Sequence, residues 1–201
     1  EDGQRLDHDR HLLPMILPMI GPGDTVLDVG AFIGDHTIAY LKAVGPEGHV
    51  LAFEPNPDAF ECLQFNCPEA TCYPFALGDI TGVKGLHIKE NAGASAICKD
   101  EAKVDYSVPM IELDLFRLTR VDFMKIDVEG SEVSVLKGAK ATINICRPLM
   151  LIEVNHKTLA SQGVKLDDLL EMLDLLSYSF KPIQENLKLE DEQLDIICTP
   201  V

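Results

Sequence analysis

Basic residues are scarce in this chain: 17 Lys and Arg stand against 33 Asp and Glu, a formal net charge of −16. Such a surface repels phosphate backbones and anionic lipid headgroups, which argues against nucleic acid and membrane as partners. Cysteine pairs at metal or redox spacing are missing as well. The six cysteines, at 62, 67, 72, 98, 146 and 198, include no C-x-x-C, so neither a zinc ribbon nor a thioredoxin-like site is indicated. Reduced thiols in a cytoplasmic protein are the expectation. Long apolar runs are also absent. The longest near the N-terminus, Leu12 to Ile20, is too short to span a bilayer and is interrupted by Pro14 and Pro18. No basic segment or small-residue cleavage site marks it as a secretory signal. Glu1 is not an initiator methionine, which leaves room for a longer natural chain. Internal repeats and low-complexity tracts are lacking too, and no segment specifies an oligomeric state.

What remains is an ordinary globular composition, 46% apolar and 25% charged. At 201 residues the chain is long enough for one α/β domain spanning 1–201 with a full core. Residues 1–22 form its N-terminal helical segment. Within it, Asp7 to Ile20 reads as an irregular or kinked helix packed against the sheet edge. His8 and His11 read as surface decoration rather than a metal site. Gly21-Pro-Gly-Asp24 is a turn that leads into the first strand.

The stretch from Thr25 to Thr37 organises the rest. Val26, Leu27 and Val29 make a buried parallel strand ending at Gly30, and beyond Gly34 the residues Ile38, Ala39 and Leu41 begin a helical stripe. Gly30 lets the backbone turn tightly and approach a ligand, while the helix start offers N–H groups to an acceptor or an anion. A dinucleotide fold would show G-x-G-x-x-G; here the pattern is Asp28-x-Gly30-x-x-x-Gly34, with Ala31 after the first glycine. Alone it fits a generic nucleotide-type turn equally well.

His49 to Phe53 is a second buried strand, closed by Glu54-Pro55-Asn56. Adjacent parallel strands end side by side, so Glu54, 20 residues after Gly34, stands where a carboxylate would accept both ribose hydroxyls. Its alternative is a solvated loop residue. A helix from Pro57 to Asn66 has Phe60, Leu63 and Cys67 on its inner face. Tyr73 to Leu77 is a third strand, with Gly78 and Asp79 closing it. Asp79 suits an exocyclic amine and Leu77 an apolar ring, against a plain turn aspartate.

Residues 80–113 depart from a simple strand–helix rhythm. Gly82 to Lys89 alternates weakly, Asn91 to Ala96 is a small-residue loop, and Val104 to Ile111 looks extended. They form an inserted β-rich segment, expected at the mouth of the site and facing substrate. Phe123, Met124 and Ile126 then form a fourth strand with Asp127 at its end. Glu129 and Glu132 follow at a helix entry, where the helix dipole favours acids. Arg147 to His156 is a fifth strand, and Leu166 to Leu176 an amphipathic helix with Leu169, Leu170, Leu173 and Leu176 inward. Tyr178 to Ile183 and Leu194 to Cys198 are the last two strands.

The strings DVGAFIGDHT, AFEPNP, ALGD, KIDVEGSEVSVLKGA and RPLMLIEVNH resemble, in this order, those of FkbM-type class I S-adenosylmethionine-dependent methyltransferases. The resemblance runs from about residue 7 to residue 200. It implies a Rossmann-like α/β fold: a mostly parallel seven-stranded sheet whose last strand is antiparallel. It also implies O-methylation of a small-molecule hydroxyl on a sugar or natural product, with S-adenosyl-L-homocysteine as product. Carried over residue by residue, Asp28, Gly30, Ala31 and Gly34 form the methionine-end loop, and Glu54, Pro55 and Asn56 the ribose side. Leu77, Gly78 and Asp79 take the adenine, and Asp127 stands beside the transferred methyl.

Methyl transfer disperses the positive charge of a sulfonium, so a carboxylate on sulfur would favour the ground state. Asp127 therefore suits the cofactor's ammonium or the acceptor. Its own charge needs a cation, which that ammonium, Lys125 or a divalent metal could supply. A neutral alcohol must lose its proton, and Glu129, Glu153 and His156 are the candidate bases. A magnesium ion held by Asp127, Glu153, Asn155 and His156 is the less favoured alternative, since no two acids occupy consecutive positions there. Two other classes stay open: a non-catalytic S-adenosylmethionine-binding module, and an NAD-dependent dehydrogenase, which the glycine spacing disfavours.

Overall fold

The computed structural model describes residues 12–88, 95–98 and 103–201. His8, His11 and the loop residues 91–94 lie outside that set. The chain opens with α1 (Leu13–Ile16) and a 3-10 turn (Leu17–Met19). Each carries a proline in its first turn, where no N–H is needed, and the second proline cuts what would be one helix into two pieces. Then follow β1 (Thr25–Val29), α2 (Asp35–Val44), β2 (His49–Phe53), α3 (Pro57–Asn66) and β3 (Thr71–Tyr73). Four short strands come next: β4 (Ala76–Leu77), β5 (Gly82–Ile88), β6 (Ser95–Cys98) and β7 (Tyr106–Ile111). The chain closes with β8 (Phe123–Ile126), α4 (Glu132–Gly138), α5 (Lys140–Cys146), β9 (Leu149–Asn155), α6 (His156–Ser161), α7 (Leu166–Leu175), β10 (Tyr178–Pro182) and β11 (Gln193–Pro200).

The main sheet has seven strands in the order β10-β11-β9-β8-β1-β2-β3. β1, β2, β3, β8 and β9 pair in parallel, and β11 runs antiparallel to both of its neighbours, as the resemblance implies. Strand order reverses beside β1, which opens a crevice at the C-terminal ends of β1 and β8. β1 and β8 are buried along their whole length because helices cover both faces.

Alternation along the strands divides the core. Leu27, Met124, Ile126 and Ile152 face α4, α5 and α7, where Val135, Leu136, Leu169 and Leu173 meet them. Val26, Phe123, Leu151 and Ile197 face the other way, onto Leu12, Ile16, Ile20, Tyr40 and Val44. Residues 12–20 thus cover the middle of a sheet face instead of the sheet edge that the sequence suggests. Leu12, Ile16 and Ile20 recur at four-residue spacing and form one stripe wide enough to seal that face. No helix among the described residues is long and apolar enough to cross a membrane.

The third strand also differs from the expected Tyr73 to Leu77. β3 pairs with β2 only as far as Tyr73, and after Pro74 and Phe75 the chain pairs with β7 in a second sheet of order β4-β7-β5-β6. Pro74 has no N–H to offer the next rung, so a change of partner is cheapest there. The corner is filled by Phe53, Tyr73, Phe75 and Phe116, with Phe53 and Tyr73 stacked at 5.1 Å.

The second sheet is anchored on both flanks of the crevice. The Tyr106 hydroxyl donates to Asp58 Oδ2 at the start of α3 (3.2 Å), and Gln162 Nε2, just after α6, donates to the Ile97 carbonyl (2.7 Å). Helix α4 packs so closely on this sheet that a Cβ at Gly138 would lie 1.8 Å from the Gly78 carbonyl oxygen. Because the obstacle is backbone, Gly138→Ala is expected to cost about 3 kcal/mol, the upper end for overpacking. In a chain of this size that lowers the melting temperature by about 6–12 °C, measurable by calorimetry. An unchanged melting temperature would show that the helix is not held against the second sheet.

Candidate active site

The turn after β1 is built for close approach. Gly30 has φ +85°, and a Cβ on it would stand 1.8 Å from the Asp127 carbonyl oxygen, so only glycine lets the ends of β1 and β8 lie side by side. The N–H groups of Gly30 and Ala31 both donate to the Phe53 carbonyl (3.0 and 3.1 Å), which ties the turn to the end of β2. Gly34 (φ +96°) begins α2 and supplies no side-chain cap. The first N–H groups of that ten-residue helix therefore point at the turn without a side-chain partner from the N-cap.

Asp28 lies beneath this turn and is fully buried. Its Oδ2 accepts from Thr37 Oγ1 (2.6 Å), and Oδ1 accepts from no group. Burial raises its pKa against the opposing pull of Lys125 and the Thr37 hydroxyl. Asp28 thus acts through the loop: it holds the first turn of α2 in place from below.

Glu54 does the same from the side. Buried at the end of β2, it accepts the Phe32 N–H at Oε2 and the Asn56 N–H at Oε1, both at 2.8 Å. Burial pushes its pKa up to about 7 despite those two bonds. A carboxylate has about four acceptor positions, so two stay available for a pair of hydroxyls. Asn56, which follows Pro55, caps α3 by accepting the Asp58 N–H, with Pro57 between the two. Across the crevice, Leu77 is buried, the Gly78 N–H donates to the Ile111 carbonyl, and Asp79 is exposed. The Ser134 hydroxyl donates to Asp79 Oδ1 at 2.7 Å, which fixes that carboxylate over the start of α4.

The fourth strand places a charge inside the sheet. Lys125 is buried opposite Asp28, and its Nζ donates to Asp127 Oδ2 at 2.7 Å. Burial opposes its charge, yet Asp127 and Asp28 hold its pKa well above the ordinary lysine value. Asp127 keeps 20% of its side chain exposed, enough to reach a ligand. Burial would raise its pKa, but Lys125 and a hydrogen bond from Glu153 outweigh this and hold it low. Glu153 has the opposite fate: burial, the Asp127 charge and the same hydrogen bond keep its pKa well above the carboxylate range. The two residues form a carboxyl pair in which Glu153 carries the proton and Asp127 the charge. Gln193 Nε2 donates to Glu153 Oε1 at 2.7 Å.

The structure joins Asp127 and Glu153 by a hydrogen bond. His156 begins α6 with Nε2 on the Leu189 carbonyl (2.9 Å). Glu129 is a half-buried turn residue with φ +55°, next to Gly130. Asn155 is spent as the cap of α6, accepting the N–H groups of Lys157 and Thr158. Of the four conceivable metal ligands, only Asp127 and Glu153 share a hydrogen bond.

Two side chains of this region carried no role in the sequence reading. Ser134 orients Asp79 from a helix start 55 residues away. Glu132 is buried; its Oε1 accepts the Gly130 N–H at 2.9 Å, while Oε2 accepts from no group. Burial pushes its pKa up to about 7. Its mark in the sequence is that it is the third acid within residues 127–132.

A family model described as the methyltransferase FkbM domain matches residues 28–182. The hexuronic acid methyltransferase AglP of Haloferax volcanii is 31% identical over 148 residues, 65% of this chain and 56% of that protein. Methyltransferase 1 of Beauveria bassiana is 27% identical over 148 residues, 58% of this chain and 59% of its own length. The chain thus spans somewhat over half the length of these curated relatives. Among solved structures, an FkbM methyltransferase from Methylobacillus flagellatus KT is similar at a TM-score of 0.59 and 18% identity, over 88% of this chain and 43% of that one. Magnesium protoporphyrin IX methyltransferase from Synechocystis PCC 6803, solved with bound S-adenosylmethionine, reaches 0.57 at 11% identity, over 98% and 79%. These likenesses show the class I methyltransferase fold.

Two buried glutamates make stability depend on pH. The folded pKa values of Glu54 and Glu132 lie at about 7 against an ordinary 4.5. The unfolded chain therefore releases these protons first, and the stability these two groups contribute is fully present below about pH 4.5 and is lost by about pH 7. Each glutamate contributes a loss of about 3 kcal/mol across that window. The ligand-free protein should melt at progressively lower temperature from pH 5 to 7, a fall that Glu153, held higher still, prolongs above pH 7, and Glu132→Gln should make the fall shallower. A melting temperature that does not fall through this interval would mean that both carboxyls ionise as freely in the fold as in the unfolded chain.

Proposed function

Because the chain belongs to the methyltransferase FkbM domain family, we propose that it is an S-adenosylmethionine-dependent O-methyltransferase acting on a small-molecule hydroxyl of a sugar or natural product. The observation that carries this reading is the join of two loops at the crevice. An uncapped helix start behind Gly30 lies beside a buried Glu54 whose carboxylate keeps unfilled acceptor positions. The carbohydrate part draws support from the relative named for hexuronic acid. We read the setting as cytoplasmic, a reading supported by six cysteines that all stand as free thiols.

These residues fit the cofactor. Glu54 would take the ribose hydroxyls, the N–H groups at the start of α2 the methionine end, and Leu77 with Asp79 the adenine. When bound, S-adenosylmethionine supplies an electrophilic methyl group on a sulfonium. The chain's own part is alignment and proton handling. Alignment alone can provide effective molarities of roughly 10⁵–10⁸ M. Asp127, ionised and partly exposed, is the group that takes the acceptor's hydroxyl proton, while Glu153 holds its own proton and steadies Asp127. A weak base suffices, because a hydroxyl becomes strongly acidic as its oxygen gains a methyl group. We read residues 80–113 as the substrate-facing wall, supported by the anchoring of Tyr106 and Ile97 on either flank of the crevice.

Calorimetry should detect binding of S-adenosylmethionine and of its demethylated product, and no binding of NADH. Glu54→Ala should weaken both ligands about tenfold to hundredfold, the worth of a hydrogen bond to a charged group. Binding of NADH with neither methionine derivative bound would move the assignment to a dehydrogenase. Unchanged affinity in the variant would remove Glu54 from the site.

A further inference from the structure

On the sheet face that carries Tyr40, toward the edge formed by β10 and β11, lies a cavity of about 420 Å³. Its apolar wall is made by Met15 and Met19 of the N-terminal segment, Ile183 and Leu187 just after β10, and Ile197 of β11. Lys181 and Glu185, of opposite charge, are exposed at its rim and leave no net charge at the opening. Small-molecule pockets run from about 300 to 1,000 Å³, so this one is large enough for a ligand group. Two thioethers suit a flexible apolar occupant, because unbranched methionine side chains adapt to its shape.

The cavity joins the crevice along one face. Ile197 and Asp195 are two apart on β11 and point the same way, and Asp195 is in register with Glu153 on β9. Glu153 in turn shares a hydrogen bond with Asp127. Gln184, which lines the cavity, donates from Nε2 to Asp195 Oδ2 at 3.4 Å. Asp127 keeps 20% of its side chain exposed, and Glu153 and Asp195 are half-buried, so the surface between Asp127 and the cavity is within a ligand's reach. Two strand spacings across and two residues along put Ile197 roughly 12 Å from Asp127.

On the methyltransferase reading above, we propose that this cavity is the tail subsite of the methyl acceptor. The acceptor is then amphipathic: a hydroxyl-bearing head over Asp127 and Glu153, joined to an uncharged apolar tail. The head meets polar side chains as far as Asp195 and Gln184, and the tail meets Ile183, Ile197 and the two methionines. A free sugar would fill only the polar half and leave the apolar half against water. Seating the tail there removes apolar surface of both partners from water, which ties affinity to tail length.

Methyl β-D-glucopyranoside and octyl β-D-glucopyranoside share a head and differ only in the tail. Each is titrated into the full chain saturated with S-adenosylhomocysteine, the octyl compound below its micelle concentration, and followed by NMR of the methionine methyls. The octyl glycoside should bind roughly tenfold more tightly or better. Of the six methionines, Met15 and Met19 should shift most. Met19→Gln, at an exposed position, should shrink the octyl preference about threefold or more. Asp127→Asn should weaken both glycosides about threefold or more, because one ligand spans both ends. Equal binding of the two glycosides, binding of neither, or a preference that leaves Met15 and Met19 unshifted overturns the proposal. So does octyl binding indifferent to Met19→Gln, or indifferent to Asp127→Asn, which would make the cavity a separate site. Failure to bind S-adenosylhomocysteine instead overturns the cofactor assignment, and this proposal with it.

Discussion

The ammonium of Lys125 is the charge on which the site is balanced. Burying an ion in a sheet costs several kcal/mol unless its partners are close and well placed. Here Asp28 and Asp127 provide those partners from the central strands, and the three groups can be buried only together. The same face is apolar one rung further down, where Val26, Phe123 and Leu149 lie under residues 12–20. Two physical regimes therefore share one face of one sheet. The lower half is closed by helices and carries the fold, and the upper half is charged and opens toward the crevice.

Glu54 shows how position gives one carboxyl two tasks. Its oxygens hold the Phe32 and Asn56 N–H groups and so join the ends of β1 and β2 into a single rim. Hydroxyl donors favour the ionised form of a carboxylate, so a ligand that fills its remaining positions would also draw its pKa down from about 7. Rim geometry and any such binding would thereby be linked through one proton.

The local parts of this architecture were legible in the sequence. Thr25 to Thr37 announces a strand, a glycine turn and a helix within 13 residues, and Glu54 and Asp127 mark strand ends by following short apolar runs. Helix α7 was equally plain, with Leu169, Leu173 and Leu176 buried as their spacing requires. What escaped depends on long-range geometry. The proton shared by Asp127 and Glu153 arises from two strands in register, 26 positions apart in the chain. The commitment of His156 comes from the Leu189 carbonyl, which only folding brings near. Pro74 reads locally as one proline in a strand, yet it marks the change from one sheet to the other.

The Gly78 N–H donates to the Ile111 carbonyl, so the second sheet's main excursion closes on itself where it leaves and rejoins the chain. Its ends are fixed by that contact and by the pairing of β4 with β7, whatever lies between them. Loop entropy grows only with the logarithm of length once the ends are pinned. Segments of different length and sequence can therefore be carried between those two points at little cost to the main sheet. The main sheet with its crevice and the second sheet can thus diverge separately in sequence and length.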